Sequence, residues 1–368
     1  MSRLEELIEQ LCPDGVEYKI LEDVLIIKNG RDYKKFGEGE IPVYGSGGIM
    51  GYIDTAAYDK PSVLIPRKGS LDKLYYVDSP FWNVDTIFYT DIDTSLVLPK
   101  YVYYWLSGQH LERLNKAGGV PSLTQSVLNK IPIPVPPLEV QKEIVQILDR
   151  FTELTAELTA ELTAELTARK KQYEYYGECL LVAKSDTPIY TIGELCRINR
   201  GRVISKEYIR DNPGEYPVYS SQTENDGVLG LIKNYAYDGE YLTWTTDGAN
   251  AGTVFYRKGR FNITNVCGLL DANSGLVRIK YLYYALGKIS GNYVSKGMGN
   301  PKLMSNVMAR IKIPIPPLEL QDRIVSILDR FDALCNDLTS GLPAEIEARR
   351  KQYEYYRDKL LTFKKLEV

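Results

Sequence analysis

One histidine, His110, is present in 368 residues, and five cysteines are scattered at Cys12, Cys179, Cys196, Cys267 and Cys335 with no CxxC pair among them. That inventory leaves no plausible ligand set for a zinc site and only one possible centre for a Ser-His-Asp triad. The sole histidine falls in YWLSGQHLERL, a stretch read here as helical, where a structural role is expected. No GxxxxGK[ST] motif occurs, which removes P-loop ATP hydrolysis, and GSGGIMG at Gly45–Gly51 fails the dinucleotide pattern because Met50 stands where the third glycine belongs. A turn is expected there instead. No Asn-Pro-Pro-aromatic sequence is present to hold a flipped base, since Val135 and Ile315 precede the Pro-Pro pairs. No apolar run approaches the roughly 20 residues that span a bilayer, and MSRLEELIEQL reads as an amphipathic helix rather than a signal. A soluble, cytoplasmic protein without a membrane partner is expected, with its thiols buried or idle.

Excess positive charge is also missing: the formal net charge is -3. Residues 1–135 carry 14 Lys and Arg against 18 Asp and Glu, whereas residues 185–315 carry 16 against 11. Non-specific grip on nucleic acid comes from cations neutralising phosphates, so any such binding must be local or shared with a partner. Tyrosine, in contrast, is abundant at 29 residues. Its hydroxyl can bond phosphate or base, although a role in strands is expected for most of them.

What the chain does contain is a tandem repeat, and a repeat decides architecture before any single motif does. IPIPVPPLEVQKEIVQILDRF, ending at Phe151, returns as IKIPIPPLELQDRIVSILDRF, ending at Phe331, 180 residues later. ARKKQYEYY at Ala168 returns as ARRKQYEYY at Ala348 with the same displacement. Weaker echoes lie upstream: YVYYWL against YLYYAL, GGVPSLTQSVL against MGNPKLMSNVM, and IPVYGSGG against YPVYSSQT at a different offset of 175. The halves therefore share a closely similar tail and differ in their globular parts.

Each tail begins with a proline ladder, Pro132, Pro134, Pro136 and Pro137 or Pro314, Pro316 and Pro317, through which no helix can run. Beyond it, Ile144, Leu148 and Phe151 start a three- and four-residue periodicity that continues through Leu154, Leu158, Leu162 and Leu166 to Leu180. This predicts a helix of about 45 residues, roughly 70 Å long. The second copy, Leu318 to Leu361, supplies an antiparallel partner of matching length, with a break at Ser340, Gly341 and Pro343. The equivalent part of the first helix is the low-complexity run TELTAELTAELTAELTA, a solvated helix with a leucine seam.

The globular parts read as β-rich with some helix: YPVY, SVLIP, DTIFYT and GTVFY separated by glycine turns, and helical patterns at Leu98–Leu114 and Val277–Leu286. The expected fold is α+β, with recognition domains at residues 1–135 and 185–315 and spacer helices at 136–184 and 316–368. Loops on turns are the usual carriers of recognition. In the first domain these hold Asn29, Gly30, Arg31, Lys34 and Lys35, then Ser46, then Arg67, Lys68 and Ser70, then Ser122, Thr124 and Gln125. The second domain offers Arg200, Arg202 and Lys206, then Ser220, Ser221 and Gln222, then Thr245, Thr246, Asp247 and Asn250, then Lys296, Asn300 and Lys302. Arg and Lys suit guanine, Asn and Gln suit adenine, and hydroxyls and backbone amides suit phosphate. Any one of these residues alone is as readily a solvated turn residue; their recurrence at matching positions carries the expectation.

LIEQLCPDGVEYKILEDV at the start, two PPLE-x-Q segments each followed by ILDRF, and the two AR[KR]KQYEYY blocks together resemble type I restriction-modification specificity subunits. The resemblance is strong in the helical segments and weak in the globular parts. It implies a non-catalytic chain with two target-recognition domains that read double-stranded DNA in two short parts around a non-specific gap. It further implies docking of two modification subunits that use S-adenosylmethionine, and of restriction subunits that bring ATP- and Mg-dependent chemistry, with no cofactor in this chain. In such proteins TAEL repeats vary in number and set the gap. The first helix departs from the commoner pattern in lacking a Gly-Leu-Pro break. Two other readings stay open on residues alone: a tandem-repeat adaptor that binds protein or carbohydrate, and the recognition half of a fused restriction enzyme.

Overall fold

In the computed structural model the described residues are 2–115, 121–182, 186–295, 299–337 and 340–367. They fall into two compact units that do not follow chain order: Met1–Thr163 with Glu345–Val368, and Ala164–Ala344. The fold is α+β, as expected.

In the first unit the proline ladder is a strand. Pro132–Val135 pairs antiparallel with Glu17–Ile20, a short two-stranded sheet in which proline is tolerated because no further strand needs its missing N–H. A four-stranded sheet follows in the order Leu25–Asn29, Ile87–Ile92, Ser62–Pro66, Tyr75–Val77, beside a three-stranded sheet ordered Gly48–Ile53, Ile41–Gly45, Trp82–Asn83. The second unit repeats the plan as a short pair, Ile189–Thr191 with Lys312–Pro314, and one six-stranded sheet. Its order is Cys196–Arg200, Cys267–Ala272, Tyr237–Thr245, Val254–Ile263, Pro213–Tyr219, Val228–Ile232. One continuous strand, Val254–Ile263, joins what the first unit splits in two, where Tyr75–Val77 and Trp82–Asn83 are separated by Asp78, Ser79, Pro80 and Phe81. Pro80 cannot donate to a ladder.

The repeated PPLE-x-Q segment has a structural reason. Gln141 is fully buried: its Oε1 accepts the Leu98 N–H at 2.8 Å, and its Nε2 donates to the carbonyls of Leu96 at 2.9 Å and Pro136 at 2.8 Å. Gln321 does the same with Arg278 N–H at 2.7 Å, Leu276 at 3.2 Å and Pro316 at 2.7 Å. Both glutamines tie the start of the long helix to the start of Pro99–Ser107 or Ile279–Ile289, satisfying a helix N-terminal donor that has no partner of its own. The aspartate of ILDRF works alongside. Asp149 accepts from Lys100 at 2.8 Å and Tyr104 at 2.7 Å; Asp329 accepts from Lys280 and Tyr284, both at 2.6 Å. Tyr101 and Tyr281 donate to the ladder carbonyls of Pro134 and Pro314. Several tyrosines thus serve the framework from helices rather than from strands.

The central helix runs unbroken over Leu138–Leu181, and the second copy breaks into Leu318–Asn336 and Leu342–Leu361 around the expected glycine and proline. Within the first unit Phe151 packs on Tyr356 at 6.1 Å and Thr152 bonds Tyr353 at 3.0 Å. Leu154, Thr155 and Leu158 share a groove with Arg349 and Gln352. Numbers rise on one helix as they fall on the other, so the pair is antiparallel. The second unit repeats the contact with Phe331 between Tyr173 at 6.2 Å and Tyr176 at 5.5 Å.

Four cysteines are buried and Cys179 is exposed. His110 differs from expectation. The helix stops at Ser107 with Gly108 as its C-cap, and His110 takes a left-handed turn at φ +49°, beside Glu112 at 3.3 Å. Among the described residues no helix is long and apolar enough to cross a membrane.

Candidate nucleic-acid interface

In the first unit Thr86 gathers two of the four expected segments directly. Its carbonyl accepts the N–H groups of Arg67 at 2.9 Å and Lys68 at 3.2 Å, and its hydroxyl accepts the N–H of Ser46 at 3.3 Å. The turn after Arg67 is closed from the other side: Leu123 N–H donates to Arg67 and Gly69 N–H to Pro121, while Lys68 bridges Ser122. Gly69 sits at φ +83°, a left-handed position that suits glycine. Ser46 and Gly47 form the turn expected of GSGGIMG, which the structure shows as a tight hairpin with Gly45 paired to Gly48. Arg31 approaches the same spine by donating its N–H to Asn83 at 2.9 Å. Gly30 permits this because a Cβ there would lie 2.1 Å from the Val84 carbonyl. Lys34 and Lys35 stand on the exposed loop that follows, fastened through Phe36 against Trp82 at 4.6 Å, outside the Thr86 cluster. Gln125 turns inward and donates to Ile27 at 2.9 Å; Thr124 bonds Ser126 at 3.0 Å. Ser70 continues the Arg67 turn and accepts the Lys73 N–H through its carbonyl.

The second unit builds the same frame from other side chains. Thr246 N–H donates to Val266, Leu303 N–H to Thr246, Gly248 N–H to Pro301, and Asp247 bridges Lys302. Asp247 is the hub: it accepts from the Thr246 hydroxyl at 2.7 Å and lies 3.9 Å from Arg200 and 3.6 Å from Lys302. Arg200 also donates to Thr246 Oγ1 at 2.9 Å and to the Asn265 carbonyl at 2.7 Å. Arg202 bridges Thr264, and Gly201 makes the close approach that Gly30 makes in the first unit, its Cβ position 2.1 Å from the Ile263 carbonyl. Thr245 is buried and bonds the Asn250 carbonyl, so its hydroxyl faces inward. Asn250 reaches Thr223 at 2.8 Å, Ser220 N–H closes on Gly227 at 3.0 Å, and Gln222 donates to Val228 at 2.5 Å. Ser221 lies half-buried on that loop, and Asn300 is exposed beside Pro301. Lys206 opens a short helix, Lys206–Asp211. Lys296 lies outside the described residues.

Part of the positive charge on both surfaces is paired. Lys68 faces Asp85 at 3.8 Å, as Arg200 and Lys302 face Asp247. Such solvent-facing pairs contribute little and yield readily to a competing anion. Each surface therefore offers hydroxyls, amides and exchangeable cations. Thr86, Asp85 and Asn265 had no signal in the sequence beyond being polar turn residues; their parts come from backbone bonds to segments distant in the chain.

The chain matches the family model described as type I restriction modification DNA specificity domain twice, over residues 13–168 and 184–348. It is 34% identical over 385 residues to a putative type I restriction enzyme specificity subunit of Haemophilus influenzae, covering 98% of both chains. It is 46% identical over 241 residues to a putative type I specificity subunit of Mycoplasma pneumoniae, covering 63% of this chain and 93% of that one. In fold it resembles the S subunit of a type I restriction-modification system from M. genitalium, with a TM-score of 0.57 at 17% identity over 94% of this chain and 96% of that one. A chain solved in work on assembly and conformational transition of the type I system gives a TM-score of 0.69 at 16% identity over 96% and 98%. With two family matches laid over two units built on one frame, the chain belongs to the type I restriction-modification specificity family, as the non-catalytic DNA specificity subunit of such a system.

Proposed function

We propose that each unit reads one short part of a two-part double-stranded DNA target through its turn cluster, the first around Thr86 and the second around Asp247. The observation that carries this is a backbone frame shared by the two units with exchanged side chains. Gly69 N–H to Pro121 and Gly248 N–H to Pro301 are the same bond, both at 3.1 Å, yet the first frame presents Arg67, Lys68 and Ser46 and the second Arg200, Lys302 and Asn250. A constant frame with variable contacts is what two different base sequences require. The helices dock two modification subunits, which bring S-adenosylmethionine and complete the positive clamp that a chain of net charge -3 lacks. Restriction subunits, with ATP and Mg, join that complex. The test is to express the chain with the modification subunits encoded beside it and to map methylated adenines in a random-sequence plasmid library. The expected result is one motif of two specified parts around a gap of fixed length. Methylation without sequence preference, or at a single uninterrupted motif, would contradict the proposal.

A further inference from the structure

Arg257 places a guanidinium in the interior of the second unit, 3% exposed. Strand register identifies its counterpart in the first unit as Val77, buried among Leu64, Phe81 and Ile87. The neighbouring pair confirms the equivalence: Tyr76 and Tyr256 each lie beneath a lysine, Lys100 at 5.6 Å and Lys280 at 5.5 Å. A buried guanidinium persists only where its charge and its donors are taken up. Its Nε donates to Thr243 at 3.2 Å, and its terminal nitrogens donate to the Asp226 carboxylate at 2.5 Å and the Asp226 carbonyl at 2.7 Å. Its flat faces lie 3.7 Å from the Tyr219 ring centroid and 4.4 Å from that of Phe255. The charge is spent on one residue of one loop.

That loop has no equal in the first unit. Where Gly45 and Gly48 enclose only Ser46 and Gly47, Ser220 and Gly227 enclose Ser221–Asp226. Asn225, Asp226 and Gly227 are consecutive at φ +49°, +51° and +75°. Asn, Asp and Gly are the residues that tolerate this left-handed region best, and a run of three persists where its surroundings over-determine it. Arg257 holds the run from beneath, the Gln222 bond to Val228 closes the loop on its own strand, and the Asn250 bond to Thr223 ties its flank to the turn that follows Asp247. Glu224 and Asn225 stand exposed at the tip. An amide suits adenine and a carboxylate accepts from the cytosine amino group, whereas phosphate repels a carboxylate.

We propose that the loop Ser221–Asp226 is a base-reading element particular to the second unit and that Arg257 is its positioning residue. This rests on the reading of that unit as a DNA-recognition surface. The full chain, co-purified with its modification subunits, is compared with three variants by mapping methylated sites in a random library. Asp226→Ala removes the carboxylate through which Arg257 holds the loop, Arg257→Lys keeps the charge but loses the planar fork, and Arg257→Val with Ser221–Asp226 cut to Ser–Gly recreates the solution of the first unit. In each, base preference should fall about tenfold at one or more positions of the part read by the second unit, with the other part unchanged. A merely structural role would lower yield or total methylation at all sites in proportion and leave both preferences intact. That outcome, or loss of assembly in all three, overturns the proposal. An unaltered chain without preference in either part overturns the underlying reading instead.

Discussion

Gln141 and Gln321 show why a residue type recurs at a fixed place: three backbone groups converge on each side chain, and no apolar residue satisfies them. Gln141→Ala leaves those groups unpaired beside a cavity, so unfolding of the first unit should cost on the order of 3 kcal/mol less. Denaturant titration followed in that unit checks it; a change below about 1 kcal/mol would show that water replaces the amide. Asp91 offers a pH test. The hydrogen bond from Lys28, and then that from Tyr58, hold its carboxyl below the usual range. A depressed carboxylate stabilises above its unfolded value of about 4 and loses that contribution as pH falls through the folded value. Asp91→Asn should therefore lower stability at pH 7 by less than about 1 kcal/mol, since both partners are about one-third exposed, with the difference from the parent protein starting to close only below about pH 4 and vanishing below the depressed value. Equal stability at both pH values would contradict it. On the interface, replacing Arg67 and Lys68 by Ala should weaken duplex binding and flatten its salt dependence, because each neutralised phosphate steepens the slope. Unchanged affinity and slope would return that turn to plain surface. Only part of the candidate set lies on turns, as Ser46, Arg67 and Lys68 do; Asn29, Arg200 and Thr245 end strands, and Gln125 and Lys206 open short helices. Their geometry was not legible in the sequence, because Thr86 reaches Ser46 and Arg67 through backbone bonds that no local pattern encodes.

Elements set by local periodicity were readable: both long helices, the break at Gly341 and Pro343, and the turn at Ser46. Elements set by distant partners were not. The ladder Pro132–Val135 is a strand only because Glu17–Ile20 pairs with it, and the end of Pro99–Ser107 is set by Gly108 within an otherwise helical pattern. The TAEL run carries a prediction of its own. Deleting Thr155–Leu158 brings Thr159 and Leu162 into the vacated places opposite Arg349 and Gln352, so identical side chains restore the lost packing. Four helical residues span about 6 Å and turn about 400°, a net twist of about 40°. One base pair turns DNA by roughly 35° at 10 to 10.5 per turn, so the gap should shorten by about one base pair. Length alone suggests nearly two, but bending across the gap absorbs a few ångströms whereas a loop turned away from its groove loses its contacts. An assembled, active variant with an unaltered gap would contradict the ruler.

For the molecule as a whole, repetition at 180 residues announced two similar bodies, and the framework bonds of Asp149 and Asp329 confirm one plan used twice. The antiparallel pairing expected of the two copies brings the last helix to the first body: residues 345–368 join Met1–Thr163, and Phe151 meets Tyr356. The repeat did not announce how the second body came to differ, since Arg257 occupies a core position that Val77 fills with a plain apolar side chain. The central claim is that the two bodies read separate parts of the target independently. It is tested most directly by exchanging residues 185–315 for the corresponding segment of a relative and mapping methylated adenines made by the assembled complex. One part of the motif should change to the relative's sequence, with the other part and the gap retained; a simultaneous change in both parts would contradict the account.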